Sequence, residues 1–199
     1  MNSLAGIITA YLLGTIPFGL IIGRLVKGVD VRKHGSGNLG ASNVFRVVGK
    51  GWGLLVLALD VSKGYGAVRM AGFFSGGMQE WFLIALAMAA ILGHTFPVWL
   101  RFKGGKGVAT SLGVFLAAAM VPTLITFGLW MIIAAISRMI SVASMGAALL
   151  FPFVIVLTVR ETGIFPYLFG VSLILSIFIF FTHRSNIGRI IRGEESKFY

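Results

Sequence analysis

Apolar stretches of about twenty residues alternate with short polar runs along almost the whole chain. A helix needs roughly 20 apolar residues, within a range near 17 to 25, to cross the bilayer core. By that measure spans are expected at about 3–26, 51–72, 80–100, 142–160 and 164–182. The stretch 107–136 is too long for one ordinary span, and Pro122 interrupts it. Two short spans near 107–119 and 121–136 solve the length problem, the first too short to cross without local thinning or a re-entrant path. The pattern therefore predicts an all-α integral membrane protein with about seven transmembrane helices, forming a single transmembrane domain over 1–199. The N-terminal stretch reads as a first span rather than a cleavable signal, because its apolar run is too long and no basic region precedes it.

Charge then orients the spans. Lys and Arg number 17 against 6 Asp and Glu, giving a net charge of +11. With seven spans, one side holds Arg24, Lys27, Arg32, Lys33, Arg46, Lys50, Arg101, Lys103, Lys106, Arg138, Arg184, Arg189, Arg192 and Lys197. The other holds Arg69 and Arg160, with Lys63 inside a span. Six spans would put the basic tail opposite the other basic loops. The positive-inside rule thus favours seven, with the N-terminus outside and the polar loops and C-terminal tail on the cytoplasmic face. Binding to anionic lipid and to an anionic substrate also fits this charge. Nucleic acid does not, since the charges lie between spans rather than on one soluble face. At 57% apolar and 12% charged residues the chain holds no soluble domain of ordinary composition, where about 25% would be charged.

Three polar segments stand out against this background. The first is His34-Gly35-Ser36-Gly37-Asn38-Leu39-Gly40-Ala41-Ser42-Asn43-Val44-Phe45-Arg46. Its glycines free backbone N–H groups to turn inward, and Ser36, Asn38, Ser42 and Asn43 add donors without negative charge, which is the chemistry of an anion cradle. Arg46 offers a planar fork for phosphate or carboxylate. A glycine-rich turn with solvated polar residues is the plainer alternative.

The second runs from Gly93-His94 to Gly104-Gly105-Lys106-Gly107. Those four residues open a helix, so their amides are expected to face an anion above its N-terminus. The Walker A spacing is missing. Arg101 and Lys103 could simply snorkel to headgroups, and His94 is as consistent with packing as with a site. The third is His183-Arg184-Ser185-Asn186-Ile187-Gly188-Arg189, followed by Gly193 and Glu195. His183 is a candidate proton acceptor. Helical spacing puts Asn186 on its face, and Arg189 can reach the same anion or pair with Glu195. The isoleucines at 187, 190 and 191 suggest that the tail 186–199 includes a short helix lying in the interface.

Asp60 and Lys63, three apart in the second span, are expected to neutralise each other inside the bundle. Ser137 and Ser141 flank Arg138 in a short loop and are weak site candidates. So few acids cannot build a carboxylate-rich Mg²⁺ site, so metal-driven phosphoryl transfer is disfavoured. The chain has no cysteine, which removes thiolate nucleophiles, disulfides and thiolate metal sites. His34, His94 and His183 are followed five residues later by Leu39, Trp99 and Gly188, so the His-x-x-x-x-Asp pair of one acyltransferase class is absent. No Gly-x-Ser-x-Gly elbow is evident.

The three segments, in this order, resemble the bacterial acyl-phosphate:glycerol-3-phosphate acyltransferases. Gly35 to Asn43 looks like the family's first motif, with Ser42 where threonine is common. Gly104-Gly105-Lys106-Gly107 looks like the core of the second, and His183-Arg184-x-Asn186-Ile187-x-Arg189 with Gly193-x-Glu195 looks like the third. The resemblance implies transfer of a fatty acyl group from a long-chain acyl phosphate to the 1-hydroxyl of glycerol 3-phosphate, giving lysophosphatidic acid and phosphate, without metal or cofactor. It implies a multi-pass enzyme of the inner or plasma membrane, at the first step of phospholipid synthesis. It leaves room for a soluble partner that makes the acyl phosphate.

The expected roles are His183, Asn186 and Ser36 in catalysis, with Gly37, Asn38, Asn43, Arg46, Lys103, Gly104, Gly105, Lys106, Gly107, Ser141 and Arg189 in substrate binding. Ser36 also belongs with the phosphate ligands, and Asn38 and Asn43 either shape the first loop or donate to an oxygen. The competing class is an organic-phosphate transporter, which the same cradle would serve. It would need polar residues near the midplane, and the spans offer mainly Asp60 and Lys63.

Overall fold

The computed structural model describes residues 3–75 and 79–198. The described residues form only helices, 3-10 turns and connecting loops. They fall into two compact units, Met1–Ala118 and Ala119–Tyr199.

The first unit begins with α1 (Ser3–Gly14) and α2 (Phe18–Lys27). These occupy the expected first span, but as two helices rather than one. Pro17 lacks an N–H and disfavours helical geometry at Ile16, so the chain breaks over Thr15–Pro17 before resuming. Lys63 Nζ donates to the Ile16 carbonyl at 2.9 Å, one of the groups the break exposes. A 3-10 turn (Val31–Lys33) and α3 (Ala41–Val47) follow, then α4 (Lys50–Arg69), α5 (Ala71–Ser75), α6 (Glu80–Thr95), a second 3-10 turn (Val98–Leu100) and α7 (Val108–Ala118). α4 is the centre of this unit, packed on α1, α2, α3, α6 and α7. Its approach to α7 depends on missing side chains. A Cβ on Gly64 would stand 2.2 Å from the Thr110 carbonyl oxygen, and one on Gly113 would stand 1.9 Å from that of Val61. Small residues at such contacts let backbones approach where lipid supplies no hydrophobic drive.

The second unit holds α8 (Met120–Ser137), α9 (Ile140–Val159), α10 (Phe165–Thr182) and the short α11 (Arg184–Ile191). α9 packs on both α8 and α10, and α11 packs on the end of α10. Ile136, Leu157 and Ile177 stand more than 70% exposed, as expected of a surface solvated by lipid tails.

Among the described residues, five segments have the length and apolarity to cross a bilayer: Ser3–Lys27, Glu80–Leu100, Met120–Ser137, Ile140–Val159 and Phe165–Thr182. The other two expected spans differ for separate reasons. α4 has 20 residues, enough length, but Lys50, Asp60, Lys63 and Arg69 make it too polar to qualify by composition. α7 has 11 residues, which at 1.5 Å per residue spans roughly 16 Å, about half the hydrocarbon thickness. The break between α7 and α8 falls at Ala119, with φ −154° and ψ 75°, rather than at Pro122. Pro122 sits in the first turn of α8, where its missing N–H has no intrahelical acceptor to lose. Tyr199, the end of the expected tail, lies outside the described residues.

Candidate functional site

In the first unit, the run from His34 to Gly40 is a loop lashed to an apolar plug. Val31 and Val44 are fully buried and Leu39 nearly so, in a cluster with Leu20, Val48 and Val56. Asn43 organises the loop above this plug. Its amide nitrogen donates to the carbonyls of Val31 at 2.8 Å, His34 at 3.1 Å and Asn38 at 2.8 Å, while its oxygen accepts from Ser36 N–H at 2.9 Å. Asn38 in turn accepts from Gly40 N–H at 2.8 Å. Both asparagines thus hydrogen-bond within the loop and the turn before it. Gly35 is required twice over. Its φ of +60° is unfavourable for L side chains, and a Cβ there would meet Asn43 Oδ1 at 2.4 Å. The loop built this way leaves Ser36 and Arg46 exposed, with Asn38 half-buried. Asp30 caps the preceding 3-10 turn and pairs with Arg32 at 2.6 Å. The hydrogen bond from Arg32 holds the Asp30 carboxyl well below the ordinary carboxylate range, against a smaller opposing effect of burial.

The second segment departs from expectation in a useful way. The amides of Gly104 and Gly105 do not face outward. They donate to Thr95 and His94 carbonyls, both at 3.0 Å. The C-terminal carbonyls of α6 lack intrahelical donors, and the loop returns to supply them. The return is made through Arg101 and Phe102, consecutive non-glycine residues with φ of 52° and 61°. Strain of this kind persists only where surrounding structure enforces it, and here Phe102 N–H is held by the Pro97 carbonyl at 3.0 Å. Lys103 ends the turn exposed, while Lys106 is half-buried and Gly107 buried at the start of α7. Gly107 has φ +85°, a conformation that favours glycine. The expectation that the whole Gly104–Gly107 backbone faces an anion is therefore not met at Gly104 and Gly105, whose amides are spent on α6.

Beneath it lies a buried charged cluster. Lys63 Nζ is 2.8 Å from Asp60 Oδ1, and His94 Nδ1 is 3.5 Å from the same oxygen. The expected Asp60–Lys63 pair is present, and His94 joins it from α6.

In the second unit, α11 starts at the end of α10, with His183 as the junction. His183 is 3% exposed and Asn186 5%, so the expected shared face exists and points inward. His183 Nδ1 lies 2.8 Å from the Ile179 carbonyl. That acceptor assigns the proton of neutral imidazole to Nδ1 and leaves Nε2 as the basic nitrogen. Glu195 is a hub of hydrogen bonds in this unit. Its Oε1 accepts from Ser141 Oγ and from Asn186 Nδ2, both at 2.6 Å, and its Oε2 accepts from Arg189 Nε at 2.7 Å. Burial works against the charge of this carboxylate, but the three hydrogen bonds outweigh it and hold its pKa below the ordinary value of 4.5. Arg189 is thus drawn to Glu195 rather than standing apart, and Ser141 enters the site through Glu195. Ser137 instead bonds the Ile133 carbonyl at 2.7 Å at the end of α8. The sequence offers Glu195 as a partner for Arg189, but no spacing signals its bonds to Ser141 and Asn186. Among the described residues no three His, Cys, Asp or Glu gather as a metal site.

Comparison with known proteins gives matching results over nearly the full chain. Residues 4–193 match the family model described as glycerol-3-phosphate acyltransferase. A glycerol-3-phosphate acyltransferase of Thermosynechococcus vestitus is 42% identical, over 94% of this chain and 91% of its own length. One from Fusobacterium nucleatum is 43% identical, over 96% of both. Among solved structures, the chain is similar to PlsY, an integral membrane glycerol 3-phosphate acyltransferase. The glycerol 3-phosphate form gives a TM-score of 0.89 at 40% identity, covering 99% of this chain and 96% of that one. The lysophosphatidic acid form gives 0.86 at 40%, covering 99% and 95%.

Proposed function

The chain belongs to the glycerol-3-phosphate acyltransferase family of integral membrane enzymes, and on that premise we propose that it moves a fatty acyl group from a long-chain acyl phosphate to the 1-hydroxyl of glycerol 3-phosphate. The products are lysophosphatidic acid and inorganic phosphate. The observation that carries the reading is the full-length likeness to an acyltransferase solved in both a glycerol 3-phosphate and a lysophosphatidic acid form, the acceptor and the product of such a transfer.

An acyl phosphate is a mixed anhydride and already activated, so the chain's lack of cysteine costs the reaction nothing. The glycerol hydroxyl oxygen bonds to the acyl carbonyl carbon, the carbon–oxygen bond to phosphate breaks, and phosphate leaves with the electron pair. The hydroxyl proton goes to His183 Nε2 or to a phosphate oxygen. The site must hold the hydroxyl about 3–3.5 Å from that carbon. It must also present fixed donors to the developing oxyanion and the leaving phosphate, which in comparable sites are worth about 2.7–4 kcal/mol each. We assign phosphate binding to Ser36, Arg46 and Lys106, with Lys103 at the rim. Gly37, Asn38 and Asn43 keep the first loop in shape, and Gly104, Gly105 and Gly107 the second. Asn186 and His183 orient the hydroxyl, with Ser141, Arg189 and Glu195 holding Asn186 in place. We place the enzyme in the inner or plasma membrane with seven spans, the N-terminus outside and these loops on the cytoplasmic face, serving the first step of phospholipid synthesis. A soluble enzyme that makes acyl phosphate is the partner that supplies the donor.

Purified protein in detergent, given palmitoyl phosphate and glycerol 3-phosphate, is expected to release phosphate and form lysophosphatidic acid in equal amounts. Product from acyl-CoA or acyl carrier protein, with none from acyl phosphate, overturns the donor assignment.

A further inference from the structure

The roles above leave the Asp60–Lys63–His94 cluster without a task. Asp60 is 2% exposed, Lys63 4% and His94 8%, inside a unit that sits in lipid. Desolvating an ion pair this deeply is expensive, and well-packed apolar residues of similar volume often serve stability equally well. Retaining it calls for something apolar side chains cannot do, namely fixing the positions of polar backbone groups.

The contacts of the cluster meet that requirement on two sides. Lys63, besides pairing with Asp60, donates to the Ile16 carbonyl in the break between α1 and α2. His94 lies against the second polar loop. The Gly105 amide donates to the His94 carbonyl at 3.0 Å. A Cβ on Gly105 would stand 2.0 Å from His94 Nε2, and the three nearest atoms to that position all belong to the His94 ring. The ring edge therefore rests on the loop backbone. Two more bonds run to the chain after His94: from the break, Thr15 Oγ1 accepts from Trp99 Nε1 at 2.8 Å, and from α1 just before it, Tyr11 OH donates to the Phe96 carbonyl at 2.8 Å. The cleft at this point is lined by Thr15, Pro17, Leu39, Asp60, His94 and Gly105. Leu39 belongs to the first polar loop and Gly105 to the second, and Asp60 lines the same cleft.

We propose that Asp60, Lys63 and His94 are positioning residues that set the Gly104–Gly107 loop, and with it Lys106, in register for a substrate phosphate. Asp60 orients the His94 imidazole through Nδ1, and the ring then bears on Gly105. Lys63 anchors Asp60 and the broken first segment to one another. The inference rests on the assignment of Lys106 to phosphate.

Two sets of variants test it, each read as KM and kcat separately from the amount of folded protein. Asp60→Asn combined with Lys63→Met removes both charges together and leaves neither unpaired. It is expected to lower the thermal midpoint modestly, because the Ile16 carbonyl loses its donor, while raising KM for a phosphate substrate about tenfold, the effect of one lost positioning contact, with kcat changed less. An unchanged KM overturns the proposal, whatever happens to the midpoint. Gly105→Ala is expected to raise KM at least tenfold in the wild-type background and by less than twofold when His94→Ala has removed the ring. An equal effect in both backgrounds overturns the contact through His94. Calorimetric titration with inorganic phosphate separates this proposal from the enzymatic reading. If the wild type fails to use acyl phosphate, that reading falls, while weaker phosphate binding by the Asp60→Asn/Lys63→Met variant still supports the cluster's role and unchanged binding overturns it.

Discussion

His183 and Arg46 are the side chains whose replacement separates binding from chemistry. The His183 ring is buried, and its Nδ1 is held by the Ile179 carbonyl at 2.8 Å, so its other nitrogen is aimed by the backbone of α10. His183→Ala is expected to lower kcat by about 10²–10⁴-fold, the usual range for a lost proton acceptor, while glycerol 3-phosphate still binds by calorimetry. Loss of binding with kcat preserved would remove His183 from the chemical step. Arg46 is exposed, and its assignment rests on the guanidinium fork, which lysine cannot reproduce. Arg46→Lys is expected to cut kcat/KM by at least about tenfold, and near-normal kinetics would refute the assignment. Glu195 carries a pH signature. Its folded pKa lies below the ordinary 4.5, so its contribution to stability is present above that value and is lost as pH falls through the folded pKa. The thermal midpoint of Glu195→Gln should lie below wild type at pH 7, and the gap should close as pH drops below about 4.5.

At the scale of elements, what distinguishes these helices is where they stop. α1 stops because Pro17 follows, and Lys63 from α4 covers the Ile16 carbonyl there. α6 stops with its last carbonyls served by Gly104 and Gly105. α4 and α7 press together at Gly64 and Gly113, with no room for a side chain. Gly113→Leu should therefore cost about 1–3 kcal/mol or more of stability through overpacking, read as a lower unfolding midpoint in detergent. Gly128→Ala in α8, where a Cβ would meet nothing within 4 Å, should leave that midpoint unchanged. The hydropathy pattern foretold α8, α9 and α10 closely, because an apolar helix in lipid is specified by length and composition alone. It missed the break in the first span, and put the second between 119 and 121, next to the observed break at Ala119, while crediting it to Pro122. A proline interrupts a helix only where its N–H was needed, and Pro122 lies in a first turn where it was not.

For the whole chain, the expected topology is directly testable because no native cysteine competes. Single cysteines replacing Lys33 and Ser185 should react with an impermeant maleimide only from the cytoplasmic side of oriented vesicles. Those replacing Arg69 and Arg160 should react only from the other. Labelling of positions 33 and 185 from opposite sides would rule out an even number of crossings between them, and so the seven-span arrangement.

The sequence by itself determined the membrane class, most of the spans and the three polar segments. Composition and periodicity are local quantities, and a run of glycine, serine and asparagine amid lipid-facing residues is visible without a fold. It also suggested Asp60 with Lys63 and Arg189 with Glu195, since three- and six-residue separations lie within reach along a helix or its following turn. Only the tertiary structure decided that Asn43 spends its amide on Val31, His34 and Asn38, that Gly104 and Gly105 turn back to α6, and that Glu195 gathers Ser141 from 54 residues away. These choices follow from a three-dimensional requirement, that polar groups removed from water find partners. Those partners are set by which backbone atoms arrive nearby rather than by spacing along the chain.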